Sequence, residues 1–174
     1  MSNNAQDEEL ITEANGGNAQ AQLRLAFNLM KNRNAEDMLQ AAHYYELAAQ
    51  QGLPVAQHNL ATMYLNGQGV AKDRAKAIHW FEIAAQQGDV DSQFNLALIF
   101  DQDFSQESQN KSFEWFETAA NNGSARAQYD LAVIYHQGKN RPVDLDKAAF
   151  WYSQAAAQGV RRAEEALELL AERT

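Results

Sequence analysis

The chain has 174 residues, with 23 acidic against 14 basic side chains for a net charge of −9, and no cysteine. The acidic balance argues against a nucleic-acid binder, which needs a basic stripe to displace counterions, and against adhesion to anionic membranes. Without cysteine there is no disulfide, thiolate metal site or cysteine nucleophile, and no stretch approaches the roughly 20 apolar residues of a membrane span.

The first residues, MSNNAQDEELITEANGG, carry neither a basic start nor an apolar run, so no secretory signal is read there and a cytoplasmic location is expected. Residues 1–6 are expected to fray. A short capping helix is predicted over Asp7 to Ala14, with acids at its start where the helix dipole favours them. Gly17 ends it by taking the left-handed backbone of a helix C-terminus.

From there the chain repeats itself. The stretch WFEIAAQQG from Trp80 to Gly88 returns as YYELAAQQG to Gly52, WFETAANNG to Gly123 and WYSQAAAQG to Gly159, with a worn copy, ELITEANGG, at Glu9 to Gly17. The closing glycines at 17, 52, 88, 123 and 159 are spaced by 35, 36, 35 and 36 residues. A fixed period in this range marks a helical repeat array.

After each glycine a first helix, A, is predicted at about 19–31, 54–66, 90–102 and 125–137. Counting from the glycine, place four is small (Ala21, Ala56, Ser92, Ala127), place eight is leucine (Leu25, Leu60, Leu96, Leu131) and place nine is alanine (Ala26, Ala61, Ala97, Ala132). Place twelve is large: Leu29, Tyr64, Phe100 and Tyr135. Places four, eight and twelve share one helix face. A second helix, B, is predicted at about 36–51, 73–87, 108–122 and 144–158, with Asp73 and Asp144 as N-caps and Asp37 and Ser108 in the matching places. Each B helix carries an aromatic pair and then an alanine pair, read as large-against-small packing. The A-to-B loops differ. Repeats two and four have glycine there, at Gly67-Gln-Gly69 and Gly138, whereas repeats one and three do not, and Phe104 of repeat three is expected to tuck inward. From Val160 a last A-like helix runs to about Glu172, apolar at Ala163, Leu167 and Leu170 and acidic elsewhere, as the outermost element of a solenoid should be.

The pattern Ala56-x3-Leu60-x3-Tyr64-x2-Gly67-x-Gly69-Val70-x2-Asp73-x2-Lys76-Ala77-x2-Trp80-x3-Ala84-Ala85-x2-Gly88 resembles the Sel-one-like repeat (SLR) family, a relative of the tetratricopeptide repeats. The resemblance runs from about Glu9 to Leu170. The family commonly has glycine at place nine, where this chain has alanine. Many relatives bridge the two helices of a repeat with cysteines; this chain has none, which fits a reducing compartment. The resemblance implies an all-α fold, a right-handed α/α superhelical solenoid of about four helix-turn-helix repeats with a partial helix at each end. It implies one domain, 1–174, made of a cap (7–17), repeats at 18–52, 53–88, 89–123 and 124–159, and a C-terminal cap (160–174). It also implies a protein-binding adaptor without enzymatic activity.

Candidate chemistry is thin. Trp80, Trp115 and Trp151 recur in register, so they read as core between helices rather than as a ligand-stacking site. His43, His58, His79 and His136 show no metal-ligand spacing, and no nucleophile or phosphate-loop motif appears. Gly67-Gln-Gly69 follows a helix, not a strand, and reads as a turn. No cofactor, metal or catalytic residue is expected. The interesting face is places three, seven and fourteen of the A helices, about 100–140° from the place-eight leucine on a helical wheel. In superhelices of this kind it lines the concave side, so the resemblance makes Arg24, Asn59, Asn66, Asp91, Asn95, Arg126 and Asp130 candidate protein-binding residues. Places six and ten add apolar residues, including Phe27, Phe94 and Tyr129, most of which should pack between successive A helices. The expected partner is another protein or peptide, with no nucleic acid or membrane, and the chain is expected to be a monomer or weak dimer. An inhibitor or immunity-type protein against a toxin or enzyme is the alternative.

Overall fold

The structure, a computed structural model, describes residues 2–32 and 34–172, with the backbone alone for residues 2–5. The described residues form ten helices and no strand: α1 (Ser2–Asn15), α2 (Ala19–Met30), α3 (Ala35–Gln50), α4 (Pro54–Asn66), α5 (Arg74–Gln86), α6 (Val90–Asp101), α7 (Gln106–Asn121), α8 (Ala125–Gln137), α9 (Leu145–Ala157) and α10 (Arg161–Ala171). The fold is an all-α helical-repeat solenoid. α2, α4, α6 and α8 are the A helices, and each packs most extensively on the B helix that follows it. Contacts divide the chain into two compact units, Met1–Asp89 with α1 to α5 and Val90–Thr174 with α6 to α10. The first helix is longer than expected. Residues 2–6, read as frayed, are helical, since Gln6, Glu8 and Glu9 are strong helix formers; Met1 lies outside the described residues.

Each B-to-A turn closes the same way. Gly17, Gly52, Gly88, Gly123 and Gly159 have φ between 83° and 91°. The next residue's N–H then returns to a carbonyl five residues back, as from Leu53 to Ala48 (3.3 Å) and from Ser124 to Ala119 (2.9 Å).

The A-to-B loops differ for a local reason. α4 and α8 end on left-handed Gly67 and Gly138. The loops then close through Asp73 N–H to Tyr64 O (2.9 Å) and Asp144 N–H to Tyr135 O (3.0 Å), and both aspartates cap the following helix at Lys76 and Lys147 N–H. A Cβ on Gly69 would run into the Met38 carbonyl. In repeat four the same place holds Asn140 at φ 57°, a residue that tolerates this region. Repeats one and three reach the B helix sooner. Their N-caps are Asn34 and Ser105, which accept from Asp37 and Ser108 N–H (2.9 and 3.2 Å), and not Asp37 and Ser108 themselves. α3 and α7 are therefore 16 residues long, against 13 for α5 and α9. Phe104 does not tuck inward. It is 95% exposed, because the turn is held by polar contacts such as Ser108 Oγ–H to Asp103 Oδ2 (2.7 Å) and needs no apolar anchor.

Places four, eight and nine are buried throughout. The B-helix aromatics require a correction. The second member of each pair is the core residue: Tyr45, Phe81, Phe116 and Tyr152 are at most 3% exposed, whereas Trp80, Trp115 and Trp151 are half-buried. Adjacent helix residues point about 100° apart. The second ring lies midway between small residues four places to either side, as Phe81 does between buried Ala77 and Ala85, so the indole is turned to the flank.

A second inward feature is polar. Place five is glutamine in every repeat, and Gln22, Gln57, Gln93 and Gln128 are at most 5% exposed. Gln22, Gln57 and Gln128 donate Nε2–H to the last-turn carbonyls of the preceding helix, Ala14, Ala49 and Ala120, each at 3.1 Å. Each glutamine Oε1 accepts from the amide that ends its own repeat's B helix: Gln51, Gln87, Asn122 and Gln158, at 2.7–2.9 Å. Both amide groups are thereby satisfied where an unpaired one would be costly.

Candidate functional site

In the first unit the A-helix face opens into a groove of about 510 Å³. Leu10 and Glu13 of α1, Leu23, Arg24 and Phe27 of α2, and Val55 and Asn59 of α4 line it. Phe27 is 56% exposed and Val55 53%, and the Lys31 ammonium lies 4.8 Å from the Phe27 ring centre. Arg24 is exposed and Asn59 half-buried. These two candidates meet here. Asn66, also in this unit, is exposed at the last position of α4 and lies outside the groove.

The second unit holds the other four candidates. Asp91 and Arg126 are exposed in the first turns of α6 and α8, and Asn95 is half-buried on α6. Asp130 of α8 lines a cleft of about 220 Å³ with Leu98 and Asp101 of α6, Phe116 of α7, Val133 and Ile134 of α8, and Lys139. Lys139 Nζ sits 2.6 and 2.9 Å from the two Asp101 carboxylate oxygens. Burial first, and then the charge of Asp101, push the Asp130 carboxyl up to about 6. No hydrogen bond or ion pair reaches that carboxylate among the described residues.

The aromatics of this face sort unevenly. Phe94 is buried edge-on to Phe116 (6.1 Å), and Tyr129 is half-buried against Tyr152 (5.7 Å). Phe27 instead stands open, because its place-ten position looks into the groove. The sequence reading grouped Phe27 with residues expected mostly to pack between A helices, and it placed Val55 at place three of the binding face without making it a candidate. It also missed a pocket of about 490 Å³ between α8, α9 and α10, lined by His136, Leu145, Ala149, Leu167 and Leu170.

Two of the histidines make polar contacts. His58 Nδ1 lies 3.1 Å from Asp89 Oδ2, and His136 Nδ1 lies 3.3 Å from the Tyr152 hydroxyl. His43 and His79 are exposed. The described residues contain no group of three side chains suited to hold a metal ion, and no helix long and apolar enough to cross a membrane.

Comparison with known proteins agrees with the repeat reading. The Sel1 repeat matches residues 19–53, 54–89, 90–124 and 125–160. A crystal structure of a protective antigen of uropathogenic Escherichia coli with an SLR fold is 37% identical and superposes with a TM-score of 0.81 over 92% of this chain, which spans 35% of that protein. A Sel1 repeat protein from Oxalobacter formigenes is 28% identical with a TM-score of 0.77, covering 87% of this chain and 62% of that one. An immunity protein of Pseudomonas aeruginosa aligns at 22% identity with a TM-score of 0.43, over 83% of this chain and 67% of that one. No curated protein gives a match. The four tandem matches place the chain in the Sel1 repeat family, a non-catalytic repeat scaffold family whose members generally mediate protein–protein interaction.

Proposed function

We propose that the protein is a non-enzymatic adaptor that receives a partner protein or peptide on its A-helix face. One observation carries this reading: the groove of the first unit combines two exposed apolar side chains, Phe27 and Val55, with Arg24 and Asn59. Aromatic residues and arginine dominate interface hot spots, and an amide among apolar walls suits the backbone of a bound segment. Asn66 extends this surface along α4; Asp91, Asn95, Arg126 and Asp130 offer a corresponding one on α6 and α8.

The test is direct. A partner is captured with the wild-type chain, then purified and measured by calorimetry against the variant Arg24→Ala/Phe27→Ala/Asn59→Ala. The variant should keep its helical signal and bind at least about tenfold more weakly, a loss of ~1.4 kcal/mol or more. Unchanged affinity would remove the groove from the reading. A partner that is an enzyme silenced by one-to-one binding would make this an inhibitor rather than an adaptor.

A further inference from the structure

We propose that the cleft beside Asp130 is an anchor for one basic side chain, lysine or arginine, of a protein partner. This deepens the adaptor reading and rests on it. Leu98, Phe116, Val133 and Ile134 give the cleft apolar walls, which suit the methylene stem of a long cation. At about 220 Å³ the cleft is less than half the size of the groove on the first unit and suits one side chain rather than a folded segment. Its charge is unbalanced: two carboxylates, Asp101 and Asp130, face a single cation, Lys139, which is committed to Asp101. The Asp130 carboxylate is half-buried and receives no hydrogen bond or ion pair among the described residues, so an arriving ammonium or guanidinium would meet an acceptor already stripped of part of its water. Truncating one member of a desolvated pair of this kind weakens binding strongly. The chain's net charge of −9 draws basic partners in the same direction.

The experiment titrates ¹⁵N-labelled full-length protein near neutral pH with three blocked tripeptides, acetyl-Gly-X-Gly-amide, where X is arginine, lysine or norleucine. Such small probes bind weakly, so they are carried into the high millimolar range. The arginine and lysine probes should shift the amides of Asp130, Val133 and Lys139 saturably, and norleucine should do so at least about tenfold more weakly. Asp130→Asn should remove that preference. Lys139→Ala, which leaves Asp101 without its ammonium, should strengthen the basic probes several-fold; Asp101 and Lys139 are the titratable groups that face Asp130 across the cleft. Equal response to norleucine, a preference that survives Asp130→Asn, or no saturable shift in the cleft would each overturn the proposal. The tripeptides need no cellular partner. A negative titration therefore leaves the adaptor reading to its own calorimetric test, and loss of the groove in that test leaves the cleft result standing.

Discussion

Replacing Gln57 by methionine tests whether the place-five glutamines fasten the repeats. The side chain is 2% exposed. It gives one hydrogen bond to Ala49 O at 3.1 Å and accepts one from Gln87 Nε2 at 2.7 Å. Methionine has nearly the same unbranched shape, so it removes both bonds without opening much of a cavity. Neither former partner is stranded. Ala49 O keeps the Gly52 N–H at 3.0 Å, and exposed Gln87 can turn to water. Two neutral bonds at about 1 kcal/mol each give a loss of about 2 kcal/mol, or a fall in melting temperature of roughly 4–8 °C for a chain of this size. Urea denaturation followed by far-ultraviolet circular dichroism measures it. A cycle with Gln87→Ala should show a coupling of about 1 kcal/mol. Destabilisation below about 0.5 kcal/mol, or additive single mutants, would show that the buried amides are fillers and not fasteners.

Three further outcomes are expected. Phe116→Ala should cost about 3–5 kcal/mol, as large-to-small core changes do, and half-buried Trp115→Ala distinctly less; equal losses in parallel denaturant melts would contradict the assignment of the inner ring. Tyr45 is fully buried and its hydroxyl has no partner among the described residues, so Tyr45→Phe should raise stability by about 1 kcal/mol, and a lower urea midpoint would mean that the hydroxyl is satisfied after all. The Asp130 carboxyl, raised from 3.8 to about 6 in the folded chain, favours folding when protonated. Its contribution is complete below about 3.8 and fades as pH climbs through about 6. Asp130→Asn should therefore raise the urea midpoint at neutral pH and change little in strong acid, and a variant less stable at neutral pH would refute this.

The parts of the fold written in local chemistry were legible in the sequence. A glycine every 35 or 36 residues, the place-eight leucines and the Asp73 and Asp144 caps each act within a turn or two of chain, and the structure uses them as read. Features that depend on where a second helix lies were not. Trp115 and Phe116 are neighbours of similar character, and only the position of the A helix decides which one turns inward. Gln57 sits on a buried register but looks solvent-facing, because its partners lie 8 and 30 residues away. The early start of α3 and α7 hung on Asn34 and Ser105, caps competing with Asp37 and Ser108 three residues on. On the A-helix face, two of the residues singled out in the sequence, Arg24 and Asn59, line the groove of the first unit, and a third, Asp130, lines the cleft of the second. The sequence did not reveal that Phe27, at place ten, stands open while Phe94, at place six, is covered, because both read as apolar residues one turn apart on the same flank of an A helix.

The two bonds of the place-five glutamine also bear on how such a chain lengthens. One bond reaches back into the hairpin before it; the other ends on the same hairpin's own final amide. A hairpin copied in tandem thus arrives carrying both halves of its joint, ready to accept its predecessor and to brace itself. Duplication at Gly52 or Gly123 would carry this joint along intact, whereas a copy starting a few residues off would separate the donor from its carbonyl and leave a seam.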